Sequence, residues 1–98
     1  MSGAQAKTFE LSPRRRRILY RAWHRGMREM DLILGWFADA HIAGLSESEL
    51  DDFELLMEAP DRDVFCWVSG ERSAPSLYDK PVLHKIQAFH RHGGPIHA

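Results

Sequence analysis

The residues that could do chemistry are densest between positions 25 and 31. This stretch places two cations, two anions and a glycine in one run, Arg25-Gly26-Met27-Arg28-Glu29-Met30-Asp31. Glycine favours the positive φ needed where a helix stops and the chain turns, and a carboxylate such as Glu29 stabilises the first turn of the next helix. The run therefore predicts a connection between two helices. Its charge density exceeds what capping requires, so it is also a candidate functional surface.

Patterns for catalysis and metal binding are weak. The chain has six histidines, but His90 and His92 are two residues apart, which on a helix points them to different sides. The remaining histidines form no ligand motif with this pair or with Cys66, the single cysteine. No Gly-rich phosphate loop follows a strand pattern. We therefore predict no metal site and no catalytic residue, and we interpret Cys66 as a packed small side chain.

Length and composition indicate one small soluble domain. A chain of 98 residues can bury one modest core. No apolar run approaches the roughly 20 residues that span a bilayer, and the first 12 residues lack the apolar stretch of a signal peptide. A single cysteine cannot form an internal disulfide, which fits a reducing compartment. We expect a cytoplasmic protein without membrane insertion.

Charge is distributed unevenly along the chain. Residues 1–28 carry eight Lys or Arg against one Glu, and residues 29–79 carry two Arg against thirteen acids. Arg14 to Arg17 lie in the first turn of a predicted helix, where they repel each other and oppose the helix dipole. This placement hints at an anionic partner, with a solvated face as the alternative. A nucleic-acid partner lacks further support, because no aromatic interleaving or binding-fold signature accompanies the cluster.

Five helical patterns follow one another, separated by glycines, prolines and capping residues, and no segment is typical of a strand. They run from Ser12 to about His24, from Met30 to Ala43, from Ser46 to Pro60, from Asp61 to Gly70, and from the Leu77–Lys80 region to Gly93. The predicted fold class is all-α, a single small five-helix bundle. Its predicted organisation is a flexible tail at 1–11, a helical domain at 12–93 and a flexible tail at 94–98.

Several local signals refine these boundaries. Ser12-Pro13 is typical of an N-cap followed by proline at the first helical position. Ser46 and Glu49 predict a capping box inside a hydrophobic staple of Leu45 and Leu50. Asp61 is predicted to cap the fourth helix. The acidic side of the third helix is expected to be solvated, and it comprises Asp51, Asp52, Glu54 and Glu58.

Apolar residues at helical spacing predict the core. They are Ile18, Leu19, Ala22, Trp23, Met30, Ile33, Leu34, Phe37, Ala40, Leu50, Phe53, Leu56, Met57, Val64, Phe65, Trp67, Val68, Val82, Leu83, Ile86 and Phe89. Gly35 is expected to permit close helix packing. Glu29, Leu32 and Trp36 share a flank of the second helix. That flank is either a contact patch or is covered by another helix.

The run from Arg25 to Asp31, followed by Leu34-Gly35-Trp36-Phe37-Ala38, resembles the RGxxE signature of the SdhE family, also called the succinate dehydrogenase assembly factor 2 family. The likeness extends from about Arg17 to Phe89 and includes an acidic, aromatic segment from Pro60 to Trp67. Members of that family are small helical proteins that help the succinate dehydrogenase flavoprotein acquire its covalently bound FAD. The resemblance implies an assembly factor that is not an enzyme.

The resemblance also implies partners and a contact surface. The expected partner is the flavoprotein subunit of succinate dehydrogenase, with that of fumarate reductase as a second candidate. FAD would act on that subunit, and we expect no tight FAD binding by this chain, which we expect to be a monomer when free. The implied partner-binding residues are Arg25, Gly26, Arg28, Glu29, Asp31, Leu32 and Trp36. Two alternatives stay open: a nucleic-acid or general protein-interaction module using Arg14 to Arg17, and a small enzyme using Glu29 with a histidine.

Overall fold

A computed structural model of the chain describes residues 10–92, and in that range it contains α-helices and no strand. The helices are α1 (Pro13–Trp23), α2 (Arg28–His41), α3 (Glu47–Glu58), α4 (Asp61–Ser69) and α5 (Pro81–His92), with a 3-10 turn (Ile42–Gly44) directly after α2. The predicted all-α, five-helix architecture is confirmed. None of the helices described is long and apolar enough to cross a membrane. The predicted end at Gly93 and the C-terminal tail lie outside the described residues.

A single hydrophobic core is shared by all five helices. Most of the predicted core residues are buried, and Phe37, Phe53, Met30 and Leu56 are among the largest side chains in it. Trp23, Phe65 and Phe89 are only partly buried but pack against this core. Leu11, which we assigned to the N-terminal tail, also packs against the core from just before α1.

The indole of Trp23 fixes the packing of α1 against α2. Its ring lies on Gly35, where an added Cβ would stand 2.3 Å from Cδ2 of the indole. Its Nε1–H donates to Oδ1 of Asp39 at 3.2 Å. The expectation that Gly35 permits close helix packing is confirmed. Asp39 is buried, and its role as an acceptor was not predicted. Its donor Trp23 is 16 residues away in the sequence and reaches Asp39 through the packing of α1 on α2.

Ala40 is exposed, so its assignment to the core was wrong. The indole of Trp23 explains the error, because it covers the side of α2 that carries Gly35 and Asp39. The buried face of α2 is therefore rotated toward α1 and includes Gly35, Ala38 and Asp39. Ala40 lies on the opposite edge of that face.

An ionic seam joins α1 to α3. Arg14 contacts three carboxylates. Its Nη1 lies 2.9 Å from Glu47, and its Nη2 lies 2.7 Å from Glu54 and also bonds to Asp51. The hydrogen bonds that Arg14 donates to Glu54 and then to Asp51 raise the pKa of Arg14 above its usual range. Further along the seam, Arg21 pairs with Glu58 at 2.6 Å. Asp51 and Glu58 keep most of their side-chain surface exposed, at 70% and 67%, as expected for this acidic face. The expectation missed that α1 brings arginines to Asp51, Glu54 and Glu58.

Arg15 ties α1 to the connection between α2 and α3. Its guanidinium donates to the carbonyl oxygens of Ile42 at 3.1 Å and Leu45 at 2.6 Å, and it also reaches Glu47 at 3.3 Å. The cluster from Arg14 to Arg17 is consequently divided. Two of its members bind inside the bundle, while Arg16 and Arg17 are exposed.

The predicted helix starts are mostly confirmed. Ser12 accepts from the Arg15 N–H at 3.2 Å with proline next to it. The capping box of Ser46 and Glu49 is present. Asp61 was wrongly predicted as the cap of α4, since Pro60 holds that position and Asp61 is the first helical residue. The carboxylate of Asp61 turns instead toward Arg25. α5 begins only at Pro81, whose ring disfavours helix in the residue before it.

The packing of Trp23 on Gly35 makes a first prediction. Gly35→Ala should destabilise the fold by about 1 to 3 kcal/mol, despite the better helix propensity of alanine, because the indole must move and weaken its bond to Asp39. Gly44→Ala is the matched control, since an added Cβ there meets nothing within 4 Å. Urea unfolding of both variants tests this, and equal midpoints for the two would contradict it.

The capping box makes a second prediction, on pH. Hydrogen bonds from Lys85 and then from the Ser46 backbone lower the pKa of Glu49. A carboxyl whose pKa is lower in the folded state stabilises the fold above its unfolded pKa, and this contribution disappears as the pH falls through the folded value. Thermal unfolding of wild type should therefore show a steeper loss of stability than Glu49→Gln between roughly pH 5 and pH 3.

The control for this experiment is Glu29→Gln, another first-turn glutamate, which has no partner among the described side chains. It removes the same kind of first-turn charge but no side-chain hydrogen bond within the described part of the chain, so its pH profile should lie closer to that of wild type than the profile of Glu49→Gln does. Parallel profiles for wild type and Glu49→Gln would show that the bonds to Glu49 do not hold in solution. Glutamine can still accept from the Ser46 N–H, so the cap itself is kept.

Candidate functional site

A four-residue connection from His24 to Met27 joins α1 to α2 and carries the charged run identified in the sequence. Gly26 has a φ of +94°, as predicted for the turn. An added Cβ on Gly26 would meet no atom within 4 Å. Its backbone is therefore strained for other residues, while the space in front of it is open.

The side chain of Arg25 ties this connection to the start of α4. Its Nε lies 3.0 Å and its Nη2 lies 2.8 Å from Oδ1 of Asp61. The two side chains are 13% and 21% exposed, so the pair is largely sheltered from water. The carboxylate of Asp61 also lies in the first turn of α4, where the helix dipole favours negative charge. The ion pair thus joins the connection between α1 and α2 to α4.

Asp31 closes the same connection from the other side. Its Oδ1 accepts a hydrogen bond from the backbone N–H of Arg25. Met27, the N-cap of α2, has no side chain that could cap the helix. The Met27 carbonyl accepts the first backbone hydrogen bond of α2, from the Asp31 N–H at 3.0 Å. Both the backbone and the side chain of Arg25 are therefore held within the protein.

Four of the five residues between these two anchors face solvent, while Met30 is buried. Gly26, Met27, Arg28 and Glu29 are all exposed. Among the residues that the structure describes, neither Arg28 nor Glu29 has a hydrogen-bond or ion-pair partner for its side chain. We call Gly26 to Glu29 the displayed loop. It combines a rigid base with charges that are open to a partner.

The seven predicted partner-binding residues therefore occupy three different environments. Gly26, Arg28 and Glu29 are exposed on the displayed loop, whereas Arg25 and Asp31 are half-buried in its base. Leu32 and Trp36 are half-buried on α2, so part of each side chain is accessible. The role of these residues in binding stays a prediction.

The ion pair to Asp61 was missed at the sequence level. Arg25 and Asp61 are 36 residues apart, and no local pattern links positions at that separation. The available signal was the contrast between a basic first segment and an acidic middle, which predicts attraction but not particular partners.

The chemistry that this arrangement supports is recognition. An exposed guanidinium and carboxylate next to an open glycine can form charge-assisted hydrogen bonds with a protein surface. Between residues 10 and 92, no three His, Cys, Asp or Glu residues are grouped to hold a metal. His90 is buried and bonds through Nε2 to the Ile33 carbonyl at 2.6 Å, which is a structural contact between α5 and α2.

Comparison with known proteins agrees with these features. A family model described as "Flavinator of succinate dehydrogenase" matches residues 16–90. Succinate dehydrogenase assembly factor 2, mitochondrial, of Dictyostelium discoideum is 40% identical over 78 residues, covering 80% of this chain and 55% of that protein. FAD assembly factor SdhE of Acetobacter pasteurianus is 36% identical over 76 residues, covering 78% of this chain and 70% of that protein.

A third relative, succinate dehydrogenase assembly factor 2, mitochondrial, of Debaryomyces hansenii, is 36% identical over 73 residues, covering 74% of this chain and 51% of that protein. This chain thus spans about half the length of the two mitochondrial relatives. The fold and the displayed loop define a small all-helical protein with exposed charges beside a turn. More specifically, the chain belongs to the succinate dehydrogenase assembly factor 2 family, as the sequence resemblance predicted.

The base of the loop makes a third prediction. Asp61→Ala should cost about 1 to 3 kcal/mol of stability, because it leaves the sheltered guanidinium of Arg25 without its carboxylate. Asp63→Ala is the matched control, since Asp63 is also an acid in the first turn of α4. Its pair with Arg72 is more exposed, so its loss should cost under about 1 kcal/mol. Equal urea midpoints for the two variants would contradict the prediction.

Proposed function

We propose that this chain binds the flavoprotein subunit of succinate dehydrogenase and promotes the covalent attachment of FAD to that subunit. Membership of the family supports the proposal. The observation that carries it in the structure is the displayed loop, in which Arg28 and Glu29 are exposed and have no side-chain partner among residues 10–92, beside a turn that Arg25 anchors. A backbone that is already held in place loses little further entropy on binding, so only the side chains must still be ordered.

The predicted partner-binding residues have distinct roles in this proposal. Gly26 lets the backbone of the subunit approach closely, because no side chain stands in the open space before it. Arg28 and Glu29 form charge-assisted hydrogen bonds across the interface. Arg25 and Asp31 act as positioning residues through their bonds within the protein. Leu32 and Trp36 extend the contact along α2.

The chain assists attachment by binding and is not an enzyme in this proposal. Bond formation between the flavin and the subunit is chemistry of FAD and of the subunit itself. This chain, as a monomer without tightly bound FAD, binds one conformation of the subunit more tightly than the others. That differential affinity shifts the subunit toward the conformation in which attachment proceeds.

A pair of glycine variants separates contact from strain. Gly26→Arg and Gly70→Arg both place a side chain at a positive φ, +94° and +86°, with no atom within 4 Å of the new Cβ. Each variant should therefore lose about 1 to 2 kcal/mol of folding stability. Only Gly26→Arg should lose activity, because its side chain holds the subunit away from the loop.

The assay incubates the purified flavoprotein subunit with FAD and each variant, then measures flavin fluorescence that survives denaturing electrophoresis. Wild type and Gly70→Arg should raise covalent flavin, and Gly26→Arg should not. If wild type neither binds the subunit nor raises covalent flavin, the proposed function is wrong. If Gly26→Arg works as well as Gly70→Arg, the contact surface lies elsewhere.

The charges of the loop are tested in the same assay. Arg28→Gln and Glu29→Gln should each weaken binding to the subunit by about tenfold or more. Arg91→Gln is the control, because Arg91 is also exposed, and lies on α5. Neither loop variant should alter the thermal midpoint by more than a few degrees, since neither side chain has a described partner. Unchanged affinity in both would remove these residues from the interface.

A further inference from the structure

The outward face of α1 carries four exposed residues that the ionic seam leaves unused. Arg16, Arg17, Tyr20 and His24 are all exposed. Their spacing places them on one side of the helix, opposite the buried Ile18, Leu19 and Ala22. We call this set the α1 stripe.

An aromatic stack forms the centre of the α1 stripe. The rings of Tyr20 and His24 lie 3.9 Å apart at an angle of 14°. His24 Nδ1 lies 2.7 Å from the Tyr20 carbonyl oxygen, which can only accept, so Nδ1 carries the proton. The bond holds the His24 ring, which stacks on the ring of Tyr20. Tyr20 is 64% exposed, the largest value among the large hydrophobic side chains that are exposed in the described range. An exposed tyrosine with a stacked neighbour is suited to anchor a protein partner.

The charge of the α1 stripe is not neutralised within the described part of the protein. The arginines between positions 14 and 25 that do not belong to the stripe all pair with carboxylates. They are Arg14, Arg15, Arg21 and Arg25. Arg17 has no such pair among residues 10–92, and Arg16 donates only to the carbonyl of Leu11, at 3.1 Å. The α1 stripe therefore presents positive charge around an aromatic centre.

The α1 stripe continues into the displayed loop. His24 is the C-cap of α1 and lies two residues before Gly26 in the chain. Only Arg25, which is half-buried, separates His24 from the exposed Gly26, so the C-terminal end of the α1 stripe lies beside the displayed loop in the chain. A partner seated on the loop would meet the C-terminal end of the α1 stripe.

We propose that the α1 stripe is a second part of the docking surface for the same flavoprotein subunit, and that it binds an acidic patch on that subunit with Tyr20 as its apolar anchor. This proposal rests on the proposed function. A nucleic acid fits less well, because only two arginines of the stripe lack a carboxylate partner among the described residues. Tight binding of a polyanion requires several phosphate contacts.

The experiment measures binding of the full chain to the purified flavoprotein subunit by calorimetry at 50 and 200 mM salt. The stripe variant Arg17→Glu/Tyr20→Ala is compared with Arg91→Glu/Leu77→Ala, which changes another exposed arginine and a hydrophobic side chain that is 55% exposed. The stripe variant should bind about tenfold or more weakly at low salt, and its affinity should depend less on salt than that of wild type. The control variant should bind within about twofold of wild type.

The outcomes separate this proposal from the function on which it rests. If Gly26→Arg abolishes binding while the stripe variant binds like wild type, the proposed function stands and the α1 stripe is not part of the surface. If wild type does not bind the subunit, both proposals are wrong. If wild type instead binds a 20-base-pair DNA duplex and the stripe variant does not, the α1 stripe serves a nucleic acid and this proposal is overturned. Circular dichroism should show the same fold for all variants, since the altered side chains are exposed.

Discussion

The ion pair between Arg25 and Asp61 is the constraint on which the displayed loop depends. It joins the end of α1 to the start of α4, while the Arg25 N–H is bound by Asp31 of α2. A turn that contains a glycine at positive φ would otherwise sample several conformations, because glycine is permissive. With Arg25 held at both its backbone and its side chain, Gly26 to Glu29 has a defined position relative to three helices. Binding then costs less ordering entropy.

The rest of the bundle supports this arrangement through α1. The indole of Trp23 lies on Gly35 and sets the separation of α1 and α2 directly before the loop. The ionic seam holds the other side of α1 against α3 through Arg14 and Arg21. These exposed or partly exposed pairs each contribute little to the stability of the fold. They nevertheless determine which arginines of α1 have no carboxylate partner among the described residues. The two arginines left over, Arg16 and Arg17, define the outward face.

Local patterns in the sequence predicted the fold well. These patterns act over one or two helical turns, so they can be identified without the tertiary structure. They are the caps at Ser12 and Ser46, the glycines at 26 and 70, and the helical spacing of apolar residues. Contacts between distant segments could not be predicted in this way. The pairing of the α3 acids with arginines was not predicted, and Ala40 appeared buried, because the positions of the α1 arginines and of Trp23 relative to α2 and α3 are properties of the packed bundle. The exposed part of the candidate site, Arg28 and Glu29, was identified from its charge density. The anchoring roles of Arg25 and Asp31 became visible only once Asp61 was placed beside them.

The most direct test of the central claim is the mobility of the loop in the free protein, measured by NMR relaxation of the backbone amides from Arg25 to Glu29. If the ion pair and the Asp31 bond hold the loop, order parameters there should be close to about 0.85, as in rigid backbone, and should fall in Asp61→Ala. The Arg25 amide should also be protected from hydrogen exchange, because it donates to Asp31. Order parameters below about 0.6 in wild type, with an unprotected Arg25 amide, would show that the loop is not held in place before binding and would contradict this account.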